Sequence, residues 1–191
     1  MLTTPIRKKE EIELIKNYFL GKEKYRDYSL FVIGINTSLR ISDLLKIRWN
    51  DVYDFKHQKF RNHLVLKEQK TGKINCIAIN DSCKNALSLQ LKYKYPVMQD
   101  DYIFYSGNNA QKHMSRNRAW HIIKEAALDN ELDGNISCHS MRKTFGYHAW
   151  QAGGQPALIM NIYNHSNIEI TKRYLAIEQD EKDNLFHKLN L

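Results

Sequence analysis

His139 and Arg142, in the stretch SCHSMRKTFGYHAW at 137–150, stand three residues apart, so a helix brings them to one face with Lys143 beside them. Like charges held together cost roughly 0.2–0.5 kcal/mol per pair on an exposed helix, and more where water is scarce. Such a cluster suits an anion. Arg40 follows an apolar run and precedes ISDLL, so it is a second cation that its neighbours make hard to solvate. Arginine stays protonated and offers a planar fork of donors that matches phosphate oxygens, and Arg40 and Arg142 could hold one phosphate from two sides. Taken one at a time, these residues have plainer explanations. Arg40 could pair with Asp43 at helical spacing, and His139 with Arg142 could be a solvated helix start. Lys70 could be an exposed turn lysine, His165 a structural histidine, and Tyr174 a core or interface aromatic.

The elements that must position them alternate in period along the chain. Thr4-Pro5 predicts the start of a helix carrying Ile12, Ile15 and Phe19 and closed by Gly21. A second helix, about Lys24 to Asn36, is almost wholly apolar from Leu30 to Ile35 and should be central. TSLRISDLLKIRW then makes a short turn and a shorter helix. Between Val52 and Ile79 the period becomes two, with a hairpin turn at QKTGK whose Thr71-Gly72 supplies the flexible pair a tight turn needs. Asp81-Ser82 caps the next helix, which ends before Pro96, and DYIFY is a short apolar piece of either type. A helix from Ser115 carries Trp120, Ile123, Ala127 and Leu128 on one side. The helix of His139 runs to Gly153-Gly154, Pro156 begins another, IYNHSN interrupts it, and a tail from Glu181 presents Leu185, Phe186 and Leu189. The fold class expected is α+β, mainly α-helical, with one small antiparallel sheet.

Composition narrows the partners. A chain of 191 residues with 42% hydrophobic and 26% charged residues is expected to form one well-cored domain over 1–191. No apolar run approaches the roughly 18–20 residues that a membrane span needs, and the N-terminus lacks a secretory pattern, so a cytoplasmic protein is expected. A formal charge of +8 implies a polyanion, with nucleic acid ahead of an anionic membrane surface. Cys76, Cys83 and Cys138 form no CxxC pair and read as reduced thiols. Asp100-Asp101 and the acids from Glu178 to Asp183 read as a loop and a solvated segment, so no metal site is expected.

The order of the unusual residues joins them. TSLRISDLLKIRWNDV, KTGK, HSMRKTFGYHAWQAGG and NHSNIEITKRYL resemble, in sequence and approximate spacing, the motifs of the tyrosine recombinase, or phage integrase, family. The resemblance runs from the first helix to Tyr174 and the tail. It is specific, because an arginine box, a hairpin lysine, HxxR, a later histidine and a tyrosine nine residues on must all coincide. Two positions depart from it: Ser38 stands where many members have the glycine of TGLR, and Asn164 replaces the glycine of LGH.

The resemblance implies a catalytic set of Arg40, Lys70, His139, Arg142, His165 and Tyr174, with Asp43 as a supporting acid. It also implies the activity of a site-specific DNA recombinase or integrase. Tyr174 would attack a phosphodiester to give a 3′-phosphotyrosine link and a free 5′-hydroxyl, and reversal by a second 5′-hydroxyl would need no nucleotide cofactor. Lys70, on a flexible hairpin tip, would protonate the leaving oxygen, and His139 would accept or orient the phenol proton. Double-stranded DNA is the partner implied, with Arg116, Arg118, Lys143, Lys172 and Arg173 as further phosphate contacts and the helix from Ser115 as a groove reader. The C-terminal segment would serve self-association on DNA, in a bacterial or phage-infected cell at the nucleoid. Only 39 residues precede Arg40, so the family's N-terminal core-binding domain is expected to be absent and DNA binding weak. The rivals are a DNA-binding module or regulator with a vestigial site, and a type IB topoisomerase that relaxes a single duplex.

Overall fold

The central element is the helix the apolar run predicts. In the computed structural model, which describes residues 3–94 and 96–189, α2 spans Tyr25–Thr37, and Leu30, Phe31, Val32 and Ile33 are all buried. Each such side chain contributes about 1.5–3 kcal/mol on leaving water. Around α2 pack α1 (Lys9–Gly21), α5 (Asp81–Tyr93) and α7 (Cys138–Gln151), while α6 (Arg116–Asp129) lies against α1 and α7. Gly34 of α2 meets Met141 of α7 so closely that an added Cβ would stand 2.5 Å from the Met141 sulfur. That close approach brings the C-terminal end of α2, which leads to Arg40, beside the first turns of α7, which carry His139 and Arg142.

The remaining elements in chain order are α3 (Ile41–Leu44), α4 (Trp49–Val52), β1 (Tyr53–Asp54), β2 (Lys59–Phe60), β3 (His63–Lys67), β4 (Ile74–Ala78), β5 (Tyr105–Ser106), β6 (Asn109–His113), α8 (Pro156–Tyr163), α9 (Ile168–Leu175) and α10 (Glu178–Leu189). The fold is mainly helical, as expected, but the single sheet becomes three separate antiparallel pairs, β1-β2, β3-β4 and β5-β6. In β3-β4, His63 faces Ala78, Val65 faces Cys76 and Lys67 faces Ile74, so the strands run in step up to the turn bearing Lys70. A second, smaller apolar cluster of Ile159, Tyr163, Leu175 and Ile177 joins α8 and α9 to the outer face of α7. Gly146 makes this possible: a Cβ there would lie 2.5 Å from both Leu175 Cδ2 and the Tyr163 hydroxyl oxygen.

Three sequence expectations need correction, and the segment left open resolves. The first helix begins at Lys9 rather than at Thr4-Pro5, because residues 3–7 run extended along α7. There the Thr4 N–H donates to the Asn135 carbonyl at 3.2 Å and the Ile6 N–H to Thr144 Oγ1 at 2.9 Å, so these backbone groups are satisfied without a helix. The cap of α5 is Asn80, whose side chain accepts from the Cys83 N–H, and Asp81 is already inside the helix. On α6 the buried stripe is Ala119, Ile122, Ile123, Ala126 and Ala127, which leaves Trp120 and Leu128 exposed. In DYIFY, Ile103 and Phe104 are buried in an irregular segment and only Tyr105 enters a strand.

The three cysteines are free thiols. Among the described residues no helix is long and apolar enough to cross a membrane, and no group of three or more His, Cys, Asp or Glu is placed to hold a metal ion.

Candidate active site

Arg40 owes its place to a reversal of the chain after α2. Ser38 takes the left-handed conformation at φ 57°, Leu39 buries its side chain, and Arg40 opens α3 with an extended backbone. The guanidinium donates from Nη1 to Glu68 Oε2 at 2.6 Å, not to Asp43. Glu68 directly follows β3 and is buried; Oε2 also accepts from the Thr71 hydroxyl at 2.7 Å, and Oε1 from Asn75 Nδ2 at 2.7 Å. Burial pushes this carboxyl up, but the Thr71 hydroxyl and the charges of Arg40 and Arg142 outweigh it and hold it below the usual carboxylate range.

Lys70 sits exposed on the turn that Glu68 closes. The Gly72 N–H donates to the Glu68 carbonyl and the Glu68 N–H to the Lys73 carbonyl, each at 2.9 Å, with Gly72 at φ 70°. Asp43, buried in α3, accepts the Gln69 N–H at 3.1 Å and ties the other flank of the turn. The backbone beneath Lys70 is therefore hydrogen-bonded on both flanks of the turn. Lys73 Nζ also donates to the Asn164 side chain, which links the hairpin to the segment before His165.

On α7, Arg142 is 5% exposed; Nη1 donates to the Ser38 carbonyl, and the guanidinium lies 4.5 Å from the centroid of the Tyr163 ring. The Tyr163 hydroxyl donates in turn to the Arg142 carbonyl. His165 follows Asn164, itself left-handed at φ 57°, and its Nδ1 lies 3.0 Å from Thr171 Oγ1 in α9. Both positions where the family's glycine is missing thus keep the left-handed backbone a glycine would favour.

Tyr174, in the last turn of α9, is half-buried with its hydroxyl 3.0 Å from His139 Nε2. Its ring meets His139 and His165 edge-on, at 5.4 and 5.1 Å between centroids. Burial, followed by the charges of Lys143, Arg142 and Arg40, lowers the His139 pKa, so the imidazole is neutral at pH 7 and Nε2 is free to accept the phenol proton. His165 is lowered by burial first and by Arg142 and Arg40 after it. Burial raises the Tyr174 phenol above its ordinary value, while Arg142, by charge and hydrogen bond, and Arg40, by charge, pull it partly back. Cys138 beside His139 is pushed up to about 12 by burial, which keeps it a neutral thiol.

Arg40, Lys70, His139 and Arg142 line one cleft of about 800 Å³, together with Arg116 and Trp120 from α6. Of the other expected phosphate contacts, Arg118 and Arg173 are exposed outside the residues lining that cleft, and Lys172 lies 5.7 Å from the centroid of the Trp150 ring. Lys143 is different. It is 6% exposed, with Nζ donating to the Thr3 carbonyl at 2.6 Å and standing 5.1 Å from the centroid of the Tyr174 ring. Its ammonium is thus turned to the Thr3 carbonyl and the Tyr174 ring and away from solvent.

Sequence reasoning missed Glu68, Tyr163, Thr171 and Trp120. Glu68 did leave a signal: with Leu64 and Leu66 it falls on the inward phase of a period-two strand, where an acid needs a buried cation as partner.

A family model described as "Phage integrase family" matches residues 6–181. The probable integrase/recombinase YoeC of Bacillus subtilis (strain 168) is 39% identical over 179 residues, covering 94% of this chain and 92% of that protein. Tyrosine recombinase XerC of Caldanaerobacter subterraneus subsp. tengcongensis is 24% identical over 176 residues, covering 90% of this chain and 47% of XerC. The crystal structure of the XerH site-specific recombinase bound to a palindromic difH substrate, a post-cleavage complex, superposes with a TM-score of 0.73 at 16% identity, covering 100% of this chain and 54% of that one. The chain thus spans nearly all of YoeC and about half of XerC and XerH.

Proposed function

The chain belongs to the phage integrase family of tyrosine recombinases, and we propose that it cleaves and rejoins duplex DNA with Tyr174 as nucleophile. What supports this most is the convergence on one phenol: Tyr174 is 3.0 Å from a neutral His139, beside a cleft into which Arg40, Arg142 and Lys70 open.

Attack requires the phenol to lose its proton as its oxygen bonds to phosphorus, since the protonated phenol is a poor nucleophile. His139 Nε2 takes that proton. Charge then gathers on the non-bridging oxygens of the five-coordinate phosphorus, and Arg40, Arg142 and His165 aim donors at them. Nδ1 of His165 is held 3.0 Å from Thr171 Oγ1, which orients the ring, and the tautomer with its hydrogen on Nε2 is the one that would serve as donor to the phosphate. The bond to O5′ breaks as Lys70 passes a proton to the departing oxygen, which would otherwise leave as a strongly basic alkoxide. A 5′-hydroxyl from a second strand runs the sequence backwards and restores Tyr174. Arg116, Arg118, Lys172 and Arg173 hold neighbouring phosphates and act without regard to base sequence.

The exposed Leu185, Phe186 and Leu189 of α10, 59%, 74% and 53% accessible, support docking on a second copy at the nucleoid DNA. Deletion after Ala176 should abolish self-association on DNA; retention of it would refute this role.

The chemistry is tested with a pool of nicked duplexes randomised around the nick. Wild type should yield a denaturation-resistant protein–DNA adduct whose recovered sequences define the site, and Tyr174→Phe should yield none. No adduct from the wild type under conditions where it binds DNA would refute the reading in favour of a vestigial site.

A further inference from the structure

We infer that Glu68 is a positioning residue that sets the Lys70 turn in register with the Arg40 guanidinium, so that the proton donor and the phosphate holder move as one unit. This rests on the reading of Lys70 as the proton donor and Arg40 as the phosphate holder.

The geometry is that of a shared anchor. One oxygen of Glu68 accepts from Arg40 at 2.6 Å and from the Thr71 hydroxyl at 2.7 Å, and the other accepts from Asn75 at 2.7 Å. Arg40 opens α3, Thr71 lies in the turn next to Lys70, and Asn75 lies in β4, so one carboxylate joins three parts of the chain. The Glu68 backbone closes the same turn through Gly72 and Lys73. Glu68 is 5% exposed, and a carboxylate kept out of water is costly unless its partners satisfy it. Here they do, and the arrangement takes up a single Nη of Arg40. The rest of the fork stays available for a phosphate. A side chain serving only to balance charge would need neither Thr71 nor Asn75.

The consequence concerns the leaving group. As the Tyr174 oxygen bonds to phosphorus and the P–O5′ bond breaks, the electron pair stays on O5′, and Lys70 must stand within reach to protonate it. A turn released from Arg40 by loss of Glu68 would misplace that ammonium. Angstrom-scale misplacement costs about a hundredfold in rate.

The test uses the full chain and the nicked duplex recovered by covalent capture, made with either oxygen or sulfur at the 5′ bridging position. Sulfur leaves as a thiolate with a conjugate-acid pKa of about 8.5, against about 15.7 for water as the analogue of the alcohol, so it departs without a proton. Glu68→Ala should slow adduct formation about a hundredfold on the oxygen substrate, and the same-shaped Glu68→Gln about tenfold. On the sulfur substrate most of that loss should vanish for both, as it should for Lys70→Ala, while Arg40→Ala stays slow on both. If Glu68→Ala fails to fold, Glu68→Gln decides. Glu68 variants equally slow on both substrates, or at full rate on oxygen, would overturn the inference and leave the function standing. Lys70→Ala unrescued by sulfur would remove Lys70 as the acid, and the inference with it. A wild type that forms no adduct would overturn the function itself.

Discussion

Gly146→Ala should separate catalysis from stability. The new Cβ would lie 2.5 Å from Leu175 Cδ2, 2.5 Å from the Tyr163 hydroxyl oxygen and 2.9 Å from Tyr163 Cζ. Neither partner has room to retreat, since Leu175 is 0% and Tyr163 2% exposed, so α9 must shift outward. Overpacking of this kind costs about 1–3 kcal/mol. Replacing a mid-helix glycine by alanine returns about 1 kcal/mol. The net loss is about 0–2 kcal/mol, which for a chain of this size lowers Tm by up to roughly 8 °C. Tyr174 is the neighbour of Leu175, and a displacement approaching 1 Å would open its 3.0 Å contact with His139, for a loss of about a hundredfold in cleavage. Thermal melts and single-turnover adduct formation on the captured nicked duplex are measured together, at a temperature where the variant is fully folded. Gly21→Ala, with no atom within 4 Å of its added Cβ, serves as the control and should retain its cleavage rate. A Gly146→Ala chain that cleaves at the wild-type rate would refute the claim that close packing of α7 on α9 holds the nucleophile in place.

Ser38→Gly should stabilise the fold by about 1 kcal/mol in a urea melt, because φ 57° is unfavourable for serine. Asn164→Gly should change stability by less, about 0.5 kcal/mol or under, since asparagine tolerates the left-handed region and its contact with Lys73 is lost. His139 and His165 are both lowered on folding, so the unfolded chain binds more protons as the pH falls. Stability is full above about pH 6.5 and declines as the pH drops through the lower folded values, and the cleavage rate should fall on the same limb as His139 gains its proton. Melts and single-turnover rates from pH 5 to 8 check both. In fluorescence anisotropy, Arg116→Ala or Arg173→Ala should reduce the salt slope of DNA binding by about one contact, about 0.9 in log–log units. Lys143→Ala should lower Tm and leave that slope unchanged.

The parts of the site visible in the sequence are those carried by residue type and order. Arg40, Lys70, His139 and Arg142 meet at one cleft, with Tyr174 packed against His139 and His165 against Tyr174, and the apolar run of α2 and the HxxR helix α7 bring Arg40 beside His139 and Arg142. What stayed hidden depends on tertiary pairing. Lys143 reads as a surface cation, yet the extended segment from Thr3 covers it and supplies its acceptor. The strands of β5-β6 are short and carry NAQKH, without an apolar alternation to announce them. Trp120 drew the apolar stripe of α6 one residue out of phase, although the ring that breaks the burial pattern is one that lines the cleft. The substitutions at Ser38 and Asn164 remove the glycines that signal a left-handed turn, but the turns persist because Arg142 holds the Ser38 carbonyl and Lys73 the Asn164 side chain.

The central claim is that Arg40, Arg142 and Tyr174 act on one phosphorus. It is tested most directly by the rate of Tyr174 adduct formation on a nicked duplex whose scissile phosphate carries a methyl group in place of one charged oxygen. If the guanidinium groups neutralise that oxygen, Arg40→Ala or Arg142→Ala, each slower by about a hundred- to a thousandfold on the ordinary phosphate, should approach the wild-type rate on one stereoisomer of the methylphosphonate. The adduct should still require Tyr174. Variants equally impaired on both substrates and both stereoisomers would contradict the account.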